Sequence, residues 1–352
     1  MPGADPRPAD LPRPSRGGAL VIQTAFLGDT ILTLPLIMAL AHTHGPVDVL
    51  TTPSALPLVA SHPAVRRTIV FDKQGRDRGL GGLRRVARGL RHTEYAAAYL
   101  PHGSIRTALV AWLAGIPERI GFSGAPGALL YTEARISGTG PMSARIATLA
   151  GAAAAPLPPP PWLVLTDTDS ARAEQWLSER NVPARFLVLA PGARWGTKRW
   201  PYYAELAGAL RDPIVVLGGE EDVALGESIV AQAPGRSWNA AGTLPLAVSA
   251  ALLQRAALLI TNDSAPLHLA TALGVPVIGL FGPTVPAFGF GPVWPGDRVV
   301  EHSALPCRPC HHHGPMTCPL GHHRCMREIG VERVMEAVTA AGSSRENPPL
   351  LL

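Results

Sequence analysis

Five short segments of this 352-residue chain carry side chains that can do chemistry. The first is Phe26-Leu27-Gly28-Asp29-Thr30, directly after the apolar run Ala19–Thr24. Gly28 permits a tight strand-to-helix turn, and Asp29 falls at the helix start. A carboxylate there serves either as a helix cap or as a general base at the end of a strand. The second is Ala190-Pro191-Gly192-Ala193-Arg194-Trp195-Gly196-Thr197-Lys198-Arg199-Trp200-Pro201. Gly192 lets the backbone approach a ligand, and Thr197 and Lys198 offer a hydroxyl and a cation to phosphate oxygens. The same loop also reads as an ordinary basic helix cap, and its spacing is not that of a Walker A loop.

The third segment, Thr261-Asn262-Asp263-Ser264-Ala265-Pro266-Leu267-His268, again joins a strand to a helix. Asp263 or Ser264 would cap that helix. Its free N–H groups and dipole make an anion site, with His268 one turn further on. The fourth, Gly218-Gly219-Glu220-Glu221-Asp222, places carboxylates at a strand end, where they can accept from a ribose diol or simply favour a helix start. The fifth is Cys307, Cys310, Cys318 and Cys325, interleaved with His311, His312, His313, His322 and His323. Four thiols with imidazoles can hold structural zinc, form disulfides or stay reduced, and the spacing is not the paired one of a zinc ribbon.

Positioning these segments requires a regular frame, and the hydropathy pattern supplies it. Short buried-type strands are expected at Ala19–Thr24, Val47–Thr52, Thr68–Asp72, Tyr95–Leu100 and Arg119–Phe122, with helices at Thr30–His42, Leu80–Arg91 and Ile105–Gly115. After the proline run Ala155–Pro161 the alternation restarts. Strands are expected at Phe186–Ala190, Ile214–Leu217, Ala257–Thr261 and Val275–Phe281. Helices are expected at Pro201–Arg211, Asp222–Gln232, Pro245–Gln254, Ala265–Leu273 and Val331–Ala341. Alternating strands and helices mean parallel α/β sheets, whose ligands bind beyond the carboxyl ends of the strands. The expected organisation is a disordered tail at 1–18, a Rossmann-like domain at 19–154, a stiff linker at 155–161, a second at 162–341 and a tail at 342–352.

Composition agrees and excludes several classes. Hydrophobic residues are 47% and charged residues 16%, enough apolar material for two cores. Four clustered cysteines exclude a disulfide-stapled miniprotein. No apolar run reaches the roughly 18–20 residues of a membrane helix, and no signal core precedes residue 20, so a cytosolic protein is expected. Residues 1–160 hold 16 basic and 9 acidic residues, a net of +7, and residues 161–352 hold 15 and 17, a net of −2. An anionic partner is therefore expected at the first half. Only Lys73 and Lys198 are lysines among the 31 basic residues. Sparse aromatics and the lack of a recognised module speak against nucleic-acid binding. The missing GxGxxG speaks against an NAD-dependent oxidoreductase, the rival α/β reading.

LGDTILTLPL, APGARWGTKRWP, NDSAPLHLATALGVPVIGLFGPT and CPLGHHRCMREI, in this order, resemble the blocks of glycosyltransferase family 9, the lipopolysaccharide heptosyltransferases. The cysteine-bearing tail is most similar to the heptosyltransferase II branch. The resemblance implies a GT-B fold, two Rossmann-like doubly wound domains facing across a cleft. It implies an inverting enzyme that transfers heptose from ADP-L-glycero-D-manno-heptose, or a similar nucleotide sugar, to an anionic lipopolysaccharide inner core. It places that enzyme in the cytoplasm, peripheral to the inner face of the inner membrane. A relative that transfers another sugar to another glycan is the alternative. The resemblance makes Asp29 the base and Lys198 the phosphate contact, with Gly192, Thr197, Asp263, Ser264 and His268 around the donor. Glu221, with Glu220 competing, would lie near the nucleoside. The basic first half, with Arg66, Arg67 and Arg119, would meet the acceptor. Protein groups can neutralise the diphosphate, so no metal is required for the reaction, and zinc at Cys307, Cys310, Cys318 and Cys325 would be structural. The family's Asp-Ser-Gly reads Asp263-Ser264-Ala265 here, and Pro266 supplies no N–H.

Overall fold

A computed structural model describes residues 17–151, 157–158 and 160–343. The chain forms two compact units, residues 1–165 and 166–352. The first holds six strands: β1 (Ala19–Ile22), β2 (Val47–Thr51), β3 (Val65–Val70), β4 (Ala97–Leu100), β5 (Glu118–Phe122) and β6 (Glu133–Arg135). They form one sheet in the order β3-β2-β1-β4-β5-β6, every pair parallel. The second unit holds β7 (Leu187–Ala190), β8 (Ile214–Val216), β9 (Ser237–Asn239), β10 (Leu258–Asn262), β11 (Val277–Phe281) and β12 (Arg298–Glu301). Their order is β12-β11-β10-β7-β8-β9, again parallel throughout. Counting strands within each unit, the two orders are the same Rossmann topology.

The central strands explain why the sequence folds this way. ALVI in β1, LVLA in β7 and VIGLF in β11 are buried along their whole length, as strands covered on both faces must be. Each Leu, Ile or Val so buried contributes about 1.5–3 kcal/mol. In the first unit Leu20, Ile22, Leu50, Phe71, Leu83 and Tyr95 share one core. In the second, Leu189, Trp200, Tyr203, Ile260, Met326 and Ile329 share another.

Several expectations shift. The helix expected at Thr30–His42 is two helices, Leu27–Leu32 and Leu34–His44. Pro35, with no N–H to donate, lies in the first turn of the second. The helix expected from Pro201 begins at Tyr203. Strands β6, β9 and β12 and helix Asp167–Glu179 lie outside the sequence expectation. Edge strands of three or four residues, such as Glu133-Ala134-Arg135, lack the apolar run that marks a central strand.

The division between units falls after Leu165, not at the proline run. Trp162 is fully buried, its indole Nε1 donates to Pro158 O at 2.7 Å, and its backbone hydrogen-bonds His62. The segment after the prolines thus packs into the first unit. Linker residues 155, 156 and 159, and the tail expectations at 1–16 and 344–352, lie outside the described residues. Gly17 and Gly18, expected in the tail, are tied to the sheet instead, as Ala96 N donates to Gly17 O at 2.8 Å.

Candidate active site

In each sheet the connections reverse direction between two central strands, β1 and β4 in the first unit and β10 and β7 in the second. A crevice opens beyond the carboxyl ends of such a pair, and ligands of doubly wound folds bind there. Three of the five chemistry-bearing segments follow these strands: the Asp29 loop after β1, the Lys198 loop after β7 and the Asp263 turn after β10.

In the first unit, the loop after β1 leads into helix Leu27–Leu32, and Asp29 is its third residue rather than its cap. Its Oδ2 accepts from Phe26 N at 3.0 Å, while Oδ1 has no hydrogen-bond partner among the described residues. One oxygen is thus fixed by the backbone and the other remains available to take a proton. Gln23, which no local sequence signal marks, locks this loop. Its Nε2 donates to Thr33 Oγ1 at 3.0 Å and to Asp29 O at 3.4 Å, and its Oε1 accepts from Ala25 N at 3.1 Å. Lys73, on the loop after β3, donates from Nζ to Thr24 O. Burial, reinforced by Arg106, holds the Lys73 ammonium below its ordinary value, and the charge of Asp29 opposes that shift.

Arg66, Arg67 and Arg119 are not brought to Asp29. Arg66 and Arg67 start β3 and lie at the amino edge of the sheet. Both bind the buried carboxylate of Asp48, at 2.8 and 2.9 Å, and Arg67 also donates to Tyr95 OH at 2.9 Å. Burial works to raise the Asp48 carboxyl, but hydrogen bonds from Arg66 and Tyr95 outweigh it and hold the group below the usual carboxylate range. Arg119, near the start of β5, donates to Leu130 O and Ile116 O at 2.6 and 2.5 Å. These three guanidinium groups are spent on the fold.

In the second unit the two expected loops do meet. Lys198 Nζ lies 2.6 Å from Asp263 Oδ2, and Thr284 Oγ1 donates to the same oxygen at 2.6 Å. Both partners of the ion pair are largely buried. An ammonium has three donors, so Lys198 keeps two beyond Asp263. Asn262 staples the loop after β7. Its Nδ2 donates to Pro191 O at 2.7 Å, and its Oδ1 accepts from Trp200 N at 3.1 Å and Tyr203 OH at 3.2 Å. Nothing local in the sequence marks Asn262 for this role. Ser264 is the N-cap of helix Ala265–Leu273 but makes no side-chain cap bond; Pro266 has no N–H and Leu267 N donates to Ser264 O at 3.1 Å, so the N–H of Ala265 is the one that first turn offers to an anion. His268 is buried one turn further, its ring 6.1 Å from that of Phe290.

Two further site expectations change. Thr197 is buried and donates from Oγ1 to Pro315 O at 2.5 Å, so its hydroxyl is committed to the cysteine loop rather than to a phosphate. Glu221 and Glu220 are exposed, and the inward carboxylate is Asp222. Asp222 accepts from Gly219 N at 3.0 Å and presses on Gly192, where an added Cβ would sit 2.3 Å from its Oδ2. Burial pushes the Asp222 carboxyl up. The sign of a strand-end carboxylate was legible, but not which of three consecutive acids turns in.

The cysteine loop backs the Lys198 loop. His323 Nε2 donates to Thr197 O at 2.8 Å, and the Trp195 and His313 rings stack at 6.5 Å. Arg308 donates to Thr284 O and to Glu301 at 2.8 Å each. The four cysteines are free thiols, and burial pushes Cys325 up to about 11 and raises Cys310. Among the described residues no three His, Cys, Asp or Glu side chains converge on a metal position. Cys307, Cys310 and Cys318 all lie within electrostatic reach of Cys325, and Arg308 ties the loop down.

Residues 83–320 match the family described as glycosyltransferase family 9 (heptosyltransferase). The chain belongs to glycosyltransferase family 9. This glycosyltransferase is 28% identical over 348 residues to lipopolysaccharide heptosyltransferase 2 of Escherichia coli K12, covering 91% of this chain and 97% of that one. It is 30% identical over 291 residues to lipopolysaccharide heptosyltransferase 2 of Salmonella typhimurium, covering 76% and 84%. Its fold is similar to the solved structure of E. coli ADP-heptose lps heptosyltransferase II, with TM-score 0.77, 26% identity and coverage of 94% and 100%. Its two Rossmann-like units are those of the GT-B class.

Proposed function

We propose that this glycosyltransferase transfers heptose from ADP-L-glycero-D-manno-heptose to the lipopolysaccharide inner core with inversion. The observation that carries the reading is the Lys198–Asp263–Thr284 cluster beyond β7 and β10, beside a helix start without a side-chain cap. The lipopolysaccharide heptosyltransferase 2 relatives support heptose transfer and the acceptor class, and the E. coli ADP-heptose lps heptosyltransferase II structure supports the donor.

In the reaction, an acceptor hydroxyl oxygen attacks the anomeric carbon as the bond to ADP breaks. Asp29 Oδ1 takes the hydroxyl proton, and the electron pair leaves on the diphosphate. Lys198 and the Ala265 N–H at the start of helix Ala265–Leu273 stabilise that growing charge, at about 3 kcal/mol for a well-placed donor. Asp263 and Thr284 hold the ammonium in place. No step is assigned to a metal, and turnover is expected to survive a chelator.

The first unit's surface supports peripheral contact with an anionic membrane from the cytoplasmic side. Leu80, Ile105 and Trp112 are exposed on the adjoining helices Gly79–Arg91 and Ile105–Leu113, beside exposed Arg84, Arg88 and Arg91. Among the described residues no helix is long and apolar enough to cross a membrane. Vesicle binding that persists in Arg84→Glu/Arg88→Glu would remove this surface.

The test of the function is turnover with a panel of ADP-heptose, other nucleotide sugars and NAD, read by mass spectrometry of heptose-deficient lipopolysaccharide. A mass gain of one heptose with ADP-heptose alone is expected. Transfer of a different sugar in preference would reject the donor assignment, which Ala265 and Pro266 in the Asp-Ser-Gly block make worth testing.

A further inference from the structure

The crevice between β1 and β4 carries a side chain that the mechanism has not used. His102 follows β4, the strand paired with β1, so it stands across the switch point from Asp29. Its Nδ1 is buried and has no hydrogen-bond partner. A buried N–H without an acceptor is costly, whereas an unpaired lone pair is cheaper, so the ring proton belongs on Nε2. Nε2 is absent from the buried atoms and makes no hydrogen bond among the described residues, so its N–H is on offer. Burial keeps the imidazole below its ordinary value, Lys73 adds to that, and Asp29 works against it. His102 is thus a neutral donor within the electrostatic reach of Asp29 and Lys73.

We propose that His102 is an acceptor-binding residue, its Nε2–H donating to an oxygen of the acceptor sugar next to the hydroxyl that Asp29 deprotonates. A donor on the attacking oxygen itself would hold the lone pair that must attack, so the neighbouring oxygen is the productive partner. Lys73 is the positioning residue of the pair. Its ammonium is anchored on Thr24 O, in the loop that carries Asp29, and it helps keep the imidazole uncharged. The inference rests on the reading of Asp29 as base.

The experiment compares His102→Leu with His102→Gln in the full chain. The Gln amide can present an N–H where Nε2–H stood. Initial rates are measured against heptose-deficient lipopolysaccharide at saturating ADP-heptose, and ADP affinity is measured by calorimetry. His102→Leu is expected to raise the acceptor KM about tenfold, the worth of one neutral hydrogen bond, with kcat and ADP affinity within about twofold. His102→Gln is expected to restore the acceptor KM to within about threefold. An unchanged acceptor KM in His102→Leu, or an equal rise in both variants, overturns the proposal. Should His102→Leu fail to fold, His102→Asn, whose shorter amide cannot reach, is expected to show the same rise. Asp29→Asn in the same assay separates the two ideas. Full turnover there removes the base, whereas the His102 result is read from KM alone.

Discussion

The two units share one strand order and place their chemistry at the same topological position, yet they load it oppositely. Beyond β7 and β10, cation and carboxylate are already paired, with Lys198 on Asp263 and Thr284 on the same oxygen. Beyond β1 and β4, Asp29 has one oxygen bound to its own helix start and the other open, and His102 offers an unpaired N–H. A closed pair is suited to hold a fixed charge in place while a diphosphate leaves. An open carboxylate is suited to receive a proton. The basic excess of the first unit does not produce this difference, because Arg66, Arg67 and Arg119 are consumed at the amino edge of the sheet.

Removing the closed pair is the strongest way to break the comparison. Lys198→Ala is expected to lower turnover about 100-fold and to weaken ADP binding, measured by steady-state rates and calorimetry. It also leaves Asp263 buried without its cation, so the melting temperature is expected to fall. Unchanged ADP affinity would move the phosphate site elsewhere.

Acid is expected to act on the units in opposite senses. Burial holds His62 of the first unit down to about 4, below its unfolded value of 6.5. Between those values only the unfolded state gains the proton, so stability is lost as pH falls from 6.5 to about 4. Burial raises Asp297 of the second unit to about 6 from 3.8, so the folded state gains the proton first and stability rises over that fall. Each effect is on the order of 2–3 kcal/mol. Hydrogen exchange resolved by unit at pH 7 and pH 4.5 checks this, and a parallel decline in both units would count against it.

Smaller effects sharpen the picture. Thr284→Val removes one of two bonds to Asp263 Oδ2 and is expected to cost about fivefold in turnover. Arg119→Ala is expected to leave the acceptor KM within about twofold, since its guanidinium serves backbone carbonyls. A large rise in that KM would restore Arg119 to the acceptor site.

Much of this arrangement was legible in the residues. Continuous apolar runs such as ALVI and VIGLF marked the central strands, and the switch-point loops carried recognisable letters at Asp29, Lys198 and Asp263. What sequence could not assign was the direction in which polar side chains turn. Asp222 points inward beside Glu220 and Glu221, and Thr197 binds Pro315, 118 residues away. Those outcomes depend on tertiary contacts that local spacing does not encode. Which arginines of the basic first half serve the fold was hidden for the same reason. Asp48 lies in an apolar strand, and nothing nearby in sequence signals that it consumes two arginines. Lys73 stood out only as one of two lysines, and its partner Thr24 lies 49 residues away.

The division of labour between the two switch points is tested most directly by Asp29→Asn, assayed for heptose transfer and, by calorimetry, for ADP binding. The expected result is turnover reduced by about 100-fold or more, with ADP affinity unchanged, because the groups proposed to hold the diphosphate, Lys198 and the start of helix Ala265–Leu273, belong to the second unit. Full turnover, or a loss of ADP affinity that accounts for the whole defect, would contradict it.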